Sequence, residues 1–351
     1  MKNRILALLL AAVLALSGGL VGCTTEVPEM TEHTLTISST EGGSVTTPGE
    51  GTFTYDAGEV VNLAAKPDEG YQFVNWTGDV GNIANANGAS MTITINGDYS
   101  IMANFEQEEA IYFADLNLEA AVREAIGKPT GLIYPSNLEG LTTLHAERRN
   151  IADLTGLDSC TNLESVYLFE NRISDIWPLA TLTSLINLQL WSNEISDISP
   201  LANLTNLTRL GLGINQISDI SPLRNLTKLT WVGLPLNPIY DISPLANLTS
   251  LTGLGLSGYR IGDIALVVDL TRFTWLRLWN SQISDISLLA SLTRLTFLDL
   301  EHNQITDISP LVENAGLSAG DQILLEDNPL NSDSINIYIP QLQVRGVNVQ
   351  Y

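Results

Sequence analysis

The chain has 351 residues, 44% of them hydrophobic and only 16% charged, a balance that supports buried cores and excludes a disordered chain. Its formal net charge is −23. A surface that acidic repels phosphate backbones and anionic headgroups, so nucleic acid is not an expected partner.

Residues 1–22 read as an export signal. Lys2 and Arg4 form its positive start, and the apolar run Ile5 to Leu16 is too short and too early for a membrane span. Leu20-Val21-Gly22-Cys23 follows. Small residues directly before a cysteine resemble the lipobox of bacterial lipoproteins. That resemblance implies cleavage before Cys23 and acyl chains on it, and two or more chains hold a protein stably on a membrane. The competing reading is an ordinary secretory signal with a chance cysteine, but no A-x-A cleavage site lies nearby. Residues 23–32 are polar, contain Pro28 and suit a tether. Either way the protein is expected outside the cytoplasm, with the lipobox placing it at the outer face of a bacterial membrane. The other cysteine, Cys160, stands where other repeats have Leu182, Leu204, Leu226, Leu248 and Leu292. It is read as a small core hydrophobe, and no disulfide is expected.

From residue 33 to residue 107 the pattern alternates, as in Leu35-Thr36-Ile37 and Met91-Thr92-Ile93-Thr94-Ile95, with Gly42-Gly43, Pro48-Gly49 and Asn96-Gly97 as turns. Short strands with such punctuation predict a small all-β domain. The stretch from Gly42 to Asp79, with Gly70, Tyr71, Phe73 and Trp76 at its core and Ile101 to Phe105 closing it, resembles the bacterial repeat module that accompanies leucine-rich repeats in internalin-type surface proteins. The resemblance implies a β-grasp-like spacer, with Trp76 and Phe105 in its core rather than on a ligand. Residues 108–137 predict a helical cap, with a helix from Phe113 to Ile126. Asp115 is its N-cap, Leu118, Val122 and Ile126 share a face, and Gly127 and Pro129 end it. A solenoid needs such a cover over its first repeat.

Residues 138–330 repeat every 22 residues. Ile151, Ile173, Ile195, Ile217, Ile239, Ile261, Ile283 and Ile305 hold the register, and Asp153, Asp175, Asp197, Asp219, Asp241, Asp263, Asp285 and Asp307 follow it. The unit Leu207 to Leu223 matches the leucine-rich repeat pattern L-x-x-L-x-L-x-x-N-x-I. Leu207, Leu210, Leu212 and Ile217 are expected to point inward onto their equivalents in neighbouring repeats. Asn171, Asn193, Asn215, Asn237 and Asn303 predict a ladder of buried amides serving the backbone where each strand bends away. Ser199-Pro200, Ser221-Pro222, Ser243-Pro244 and Ser309-Pro310 read as N-cap and first residue of short convex 3₁₀ turns. Tyr259 and Ser281 replace the ladder Asn, and Leu266 and Leu288 replace the Pro. Asn328 and Leu330 mark a closing repeat. Residues 331–351 form a C-terminal cap, in which Val347 to Val349 could add a strand. The expected class is an α/β solenoid: a horseshoe with a parallel concave sheet and short convex turns. β module, helical cap, 22-residue repeats and terminal cap together resemble internalins.

No Ser/His/Asp set, H-E-x-x-H, C-x-x-C or phosphate loop occurs. His145 and His302 stand seven repeats apart, about 34 Å at the usual strand spacing, too far to share a metal or form a dyad. No enzymatic activity, cofactor or metal is expected. The Asp column could bind cations, but an Asp two residues after the core Ile more simply accepts backbone N–H bonds in its turn. The informative positions face outward from the concave sheet. Phe169 and Trp191 share one column, Trp231, Trp275 and Phe297 another, and Tyr167 and Trp279 flank them. Gly211, Gly213, Gly233, Gly253 and Gly255 lie between, as an open floor that a partner's loop could reach. Exposed aromatics on a rigid face are typical hot spots, although bulky residues also simply suit strands. The leading expectation is a monomeric, lipid-anchored, adhesin-like protein that engages a protein partner with these aromatics, Arg209 and Arg277, because internalins bind host proteins in this way. A glycan ligand, with Gln189, Arg209, Arg277, Asp299 and Glu301 beside the rings, and a purely structural role are the alternatives.

Overall fold

A computed structural model describes residues 31–83, 85–258 and 271–351. The expected signal 1–22, Cys23 and the tether up to residue 30 lie outside the described residues, as do Tyr259, Ile261, Asp263 and Leu266. The chain divides into two compact units, one ending at Gln107 and the other running from Glu108 to Tyr351.

The described residues of the first unit form seven strands: β1 (Glu32–Ser39), β2 (Gly43–Thr47), β3 (Gly51–Asp56), β4 (Val60–Pro67), β5 (Tyr71–Gly78), β6 (Ser90–Thr94) and β7 (Tyr99–Gln107). They form two sheets, in the orders β3-β1-β7-β5 and β2-β4-β6, and β1 and β7 run parallel at the centre of the first. Alternation decides which face is buried: Leu35 and Ile37 of β1, Val61 and Leu63 of β4, and Ile101 and Ala103 of β7 all point into one core. Trp76 is 1% exposed. Its indole N–H donates to the Gly88 carbonyl at 3.0 Å, and Phe73 packs between its ring and that of Phe105. Both rings named from the sequence therefore serve packing.

The second unit opens with α1 (Leu116–Ile126). It starts three residues later than the hydrophobic pattern predicts. Asp115 accepts from the N–H groups of Asn117 and Leu118 with one oxygen and stops the helix there, while Phe113 is buried outside it. Its other oxygen accepts from Ala152 in the first repeat at 2.8 Å. Burial alone would raise the Asp115 pKa, but these backbone donors outweigh it and hold the carboxyl below its ordinary value. Gly127, at φ 66°, closes the helix in the left-handed conformation that glycine adopts freely. A short second helix, α2 (Pro135–Leu138), spans the junction placed at 137/138.

Ten described strands follow: β8 (Thr143–His145), β9 (Ser165–Tyr167), β10 (Asn187–Gln189), β11 (Arg209–Gly211), β12 (Trp231–Gly233), β13 (Gly253–Gly255), β14 (Trp275–Arg277), β15 (Phe297–Asp299), β16 (Gln322–Leu324) and β17 (Asn348–Gln350). They make one parallel sheet in chain order. The 22-residue spacing becomes strict register, so that Arg209, Trp231, Gly253, Trp275 and Phe297 are successive partners. Behind the sheet, Leu207, Leu210, Leu212 and Ile217 and their equivalents are fully buried. Each such side chain contributes on the order of 2 kcal/mol. Cys160 lies in this core at 0% exposure, and burial pushes its thiol pKa up to about 12.

Each ladder asparagine ties two successive repeats together. The Asn215 side-chain oxygen accepts from Ile195 N–H at 3.0 Å, and its amide donates to the carbonyls of Leu190 and Leu212. Asn171, Asn193, Asn237 and Asn303 make the equivalent bonds, and Asn328 continues the ladder beyond them. Ser281 offers only a hydroxyl, which donates to the Trp279 carbonyl. On the convex side the Ser-Pro turns differ from expectation. Ser199, Ser221 and Ser243 are the first residues of their 3₁₀ turns, not their caps. The capping oxygen belongs to the Asp column: Asp197, Asp219, Asp241, Asp285 and Asp307 each accept from the backbone N–H two residues on. Those bonds hold Asp219, Asp241 and Asp285 below the usual carboxylate pKa. The Ser309–Glu313 segment is one turn of α-helix, α3. The far end is covered by a π-helical turn (Ser334–Tyr338), α4 (Ile339–Val344) and β17.

Two outcomes follow. Asn215→Ala leaves a buried N–H and two carbonyls without their partner, and unfolding in urea should show a loss of about 3 kcal/mol or more. Cys160 should resist iodoacetamide at pH 8 in the native protein and react fully in denaturant, as read by mass spectrometry of its peptide.

Candidate functional site

The strands are short, and each presents two outward side chains flanking one buried one, followed by two more where the chain turns. Four columns therefore run across the concave face. The strand-start column carries Arg209, Trp231, Gly253, Trp275 and Phe297. The strand-end column carries His145, Tyr167, Gln189, Gly211, Gly233, Gly255, Arg277 and Asp299. Two residues further along lie Phe169, Trp191, Gly213, Pro235, Ser257, Trp279 and Glu301, and after them the residue next to the ladder Asn.

The seven aromatics are half-buried rather than fully open to solvent, because register stacks them on one another. Phe169 and Trp191 are parallel with centroids 4.4 Å apart, and the Arg148 guanidinium covers Phe169. Trp275 and Phe297 stack at 5.3 Å, and Trp231 meets Trp275 at 5.9 Å with a tilt of 52°. His145 stacks on Tyr167 at 4.6 Å, and Asn187 donates to the Tyr167 hydroxyl. Trp279 packs edge-on against His302, which lies 2.9 Å from Asp327. They do not form one surface. Phe169 and Trp191 sit past the strand ends, while Trp231, Trp275 and Phe297 sit at the strand starts.

The glycine floor is not open. All five glycines are buried. A Cβ on Gly233 or Gly253 would meet the Trp231 indole, one on Gly211 the Gln189 amide, and one on Gly213 the Pro235 ring. Gly211, Gly213, Gly233 and Gly253 make room for the protein's own large side chains to lie against the sheet.

The two arginines differ. Arg277 is held at 2.6 Å by the fully buried Asp299. Arg209 is exposed over the Trp231 ring, 5.6 Å from its centroid, and makes no ion pair among the described residues. Glu301 has its pKa raised, first by burial and then by the charges of Asp299 and Glu326. Among the described residues no group of three or more His, Cys, Asp or Glu could hold a metal ion.

The column next to the ladder contains two residues that the sequence did not single out. In every described repeat its residue has positive φ, between 55° and 59° in Arg148, Glu170, Ser192, Ile214, Leu236, His302 and Asp327, and near 53° in Asn280. Gly258 takes the same conformation at φ 86°. The conformation belongs to the turn itself, since Arg148 and Asn280 adopt it before Arg149 and Ser281, and most repeats fill it with polar residues or glycine. Ile214 and Leu236 instead stand there side by side, 46% and 43% exposed. A β-branched residue in left-handed backbone is a genuine outlier. The only signal in the sequence was two apolar residues 22 apart, each directly before a ladder asparagine.

Comparison with known proteins follows this geometry. The model of the divergent InlB B-repeat domain matches residues 33–109, and that of leucine-rich repeats in two copies matches residues 183–225 and 274–313. The crystal structure of an internalin C2 from Listeria monocytogenes is similar at 35% identity and a TM-score of 0.55, covering 62% of this chain and 94% of that one. An internalin InlF from the same organism is similar at 32% identity and a TM-score of 0.55, covering 68% and 76%. A search of curated proteins found no match. Repeat length, parallel sheet, capping helix and overall likeness agree, and the chain belongs to the internalin family of leucine-rich repeat proteins.

Proposed function

We propose that the chain is a lipid-anchored, surface-exposed protein that binds a protein partner on the concave face of its repeats. Cys23 behind an export-type segment supports the anchor, and membership of the internalin family supports the class. No described helix is long and apolar enough to cross a membrane. The observation that carries the reading is Ile214, an exposed β-branched side chain at φ 55°. Left-handed backbone costs an L-residue about 1–2 kcal/mol, and Asn or Gly would avoid most of it. An apolar residue kept at such a position contributes little to the fold and is explained by what it presents outward. With Pro235 and Leu236 in the next repeat it forms a short uncharged strip beside Trp191, and apolar surface of this kind favours a protein partner over a hydrated one. Phe169, Trp191 and Trp279, past the same ends of the strands, add aromatic area on that side.

The reading has an unusual signature. Ile214→Asn should raise stability by about 1 kcal/mol, a few degrees in thermal midpoint. The same change should remove capture of the partner by the full chain. A variant that is more stable and still captures that partner at wild-type affinity overturns the reading.

A further inference from the structure

At the strand starts an open groove of about 490 Å³ is lined by Arg209, Thr230, Trp231, Thr252, Gly253, Thr274 and Trp275. We infer that this groove binds a carboxylated pyranose, a uronic or sialic acid, with its ring across the two indoles and its carboxylate on Arg209. This goes beyond the protein-partner reading and does not depend on it, since Ile214 and Leu236 lie past the other end of the strands.

Three features specify the ligand. First, Trp231 and Trp275 stand two repeats apart and meet because Gly253 lies between them, where a Cβ would collide with the Trp231 ring. Their planes open at 52°, and centroids 5.9 Å apart leave no room for a ring between them. A flat ligand therefore lies across the mouth of the V, against apolar ring surface. Second, the opposite wall is a hydroxyl ladder. Thr230, Thr252 and Thr274 each donate to the backbone carbonyl one repeat back, at 3.0, 3.3 and 3.4 Å. Each hydrogen is thereby committed, and each oxygen keeps acceptor capacity for a ligand's hydroxyl. The strand spacing repeats these acceptors about every 4.8 Å, a close match to the length of one sugar residue. Third, no acid lines the groove, although the chain carries 39 Asp and Glu against 16 Lys and Arg. Its single charge is Arg209, already held over Trp231 and without an ion pair among the described residues, so its guanidinium edge is free for bidentate contact with a carboxylate. An apolar face, a row of hydroxyl acceptors and one unpaired guanidinium together describe an acidic sugar better than a neutral one or an apolar peptide.

The test is calorimetric titration of the full chain with trigalacturonate, sialyllactose, lactose and a glutamate-containing tripeptide. At least one carboxylated sugar should bind saturably, and lactose should bind at least about tenfold more weakly. Arg209→Gln should weaken the carboxylated sugar by about tenfold or more and leave lactose unchanged. Thr252→Val, which keeps shape and removes the acceptor, should weaken it by about threefold. Trp191→Ala, at the other end of the strands, should do nothing. Binding of trigalacturonate alone assigns a free acidic polysaccharide. Binding of a sialylated glycoprotein that disappears on desialylation assigns a glycan carried by protein. No saturable binding of either carboxylated sugar below about 10 mM overturns the inference. So does equal affinity for lactose, equal affinity for the tripeptide, or indifference to Arg209→Gln. Loss of protein capture in Ile214→Asn with sugar binding intact separates this site from the protein-partner reading.

Discussion

The fold rests on one requirement: where each strand turns away from the sheet, backbone N–H and C=O groups are buried and must find partners. The ladder asparagine meets it. One amide joins a carbonyl in its own repeat, a carbonyl in the repeat before, and an N–H of that same preceding repeat. No other uncharged side chain combines two donors and an acceptor at that reach except Gln, which is one methylene longer. A fixed offset of the amide from its strand follows: it lies three residues past an inward leucine each time, and the extra residues between Asn303 and Asn328 are taken up before that point.

That constraint frees the concave face. With the buried core, the Asp-capped turns and most of the ladder shared by the described repeats, the outward columns can vary without changing the fold. Variation there is not independent from one repeat to the next. A tryptophan in one repeat lies over a glycine in another, as Trp231 does over Gly253, so a large residue is accommodated by a small one across the strand. Phe169 with Trp191, and Trp275 with Phe297, are in turn held by stacking. The face is thus rigid before any ligand arrives, which lowers the ordering cost of binding.

Register, inward positions and the all-β module were legible because they depend on spacing within the chain. The start of α1 was less so: Phe113 continues the apolar pattern, but Asp115 decides where the helix begins. The Ser-Pro motif pointed to the right turn and the wrong cap, since Asp two residues earlier supplies the oxygen. Burial of the concave aromatics was not legible at all. It depends on which ring stands in the next strand, and stacking covers part of each ring. Ile214 and Leu236 were passed over because residue type predicts the opposite of their conformation. Isoleucine avoids positive φ, so nothing in its identity hints at the turn conformation it takes there.

The placing of the tryptophans has an optical consequence. Of six, Trp76 is sealed in the core of the first unit, Trp177 sits 59% exposed on a convex turn, and the other four stand on the concave face. Two of those four, Trp231 and Trp275, are in contact at a fixed tilt, close enough for their electronic transitions to couple. Near-ultraviolet circular dichroism should therefore carry a paired signal from that contact, and much of the fluorescence should come from one side of the molecule. Anything that settles on the concave face alters both without a label.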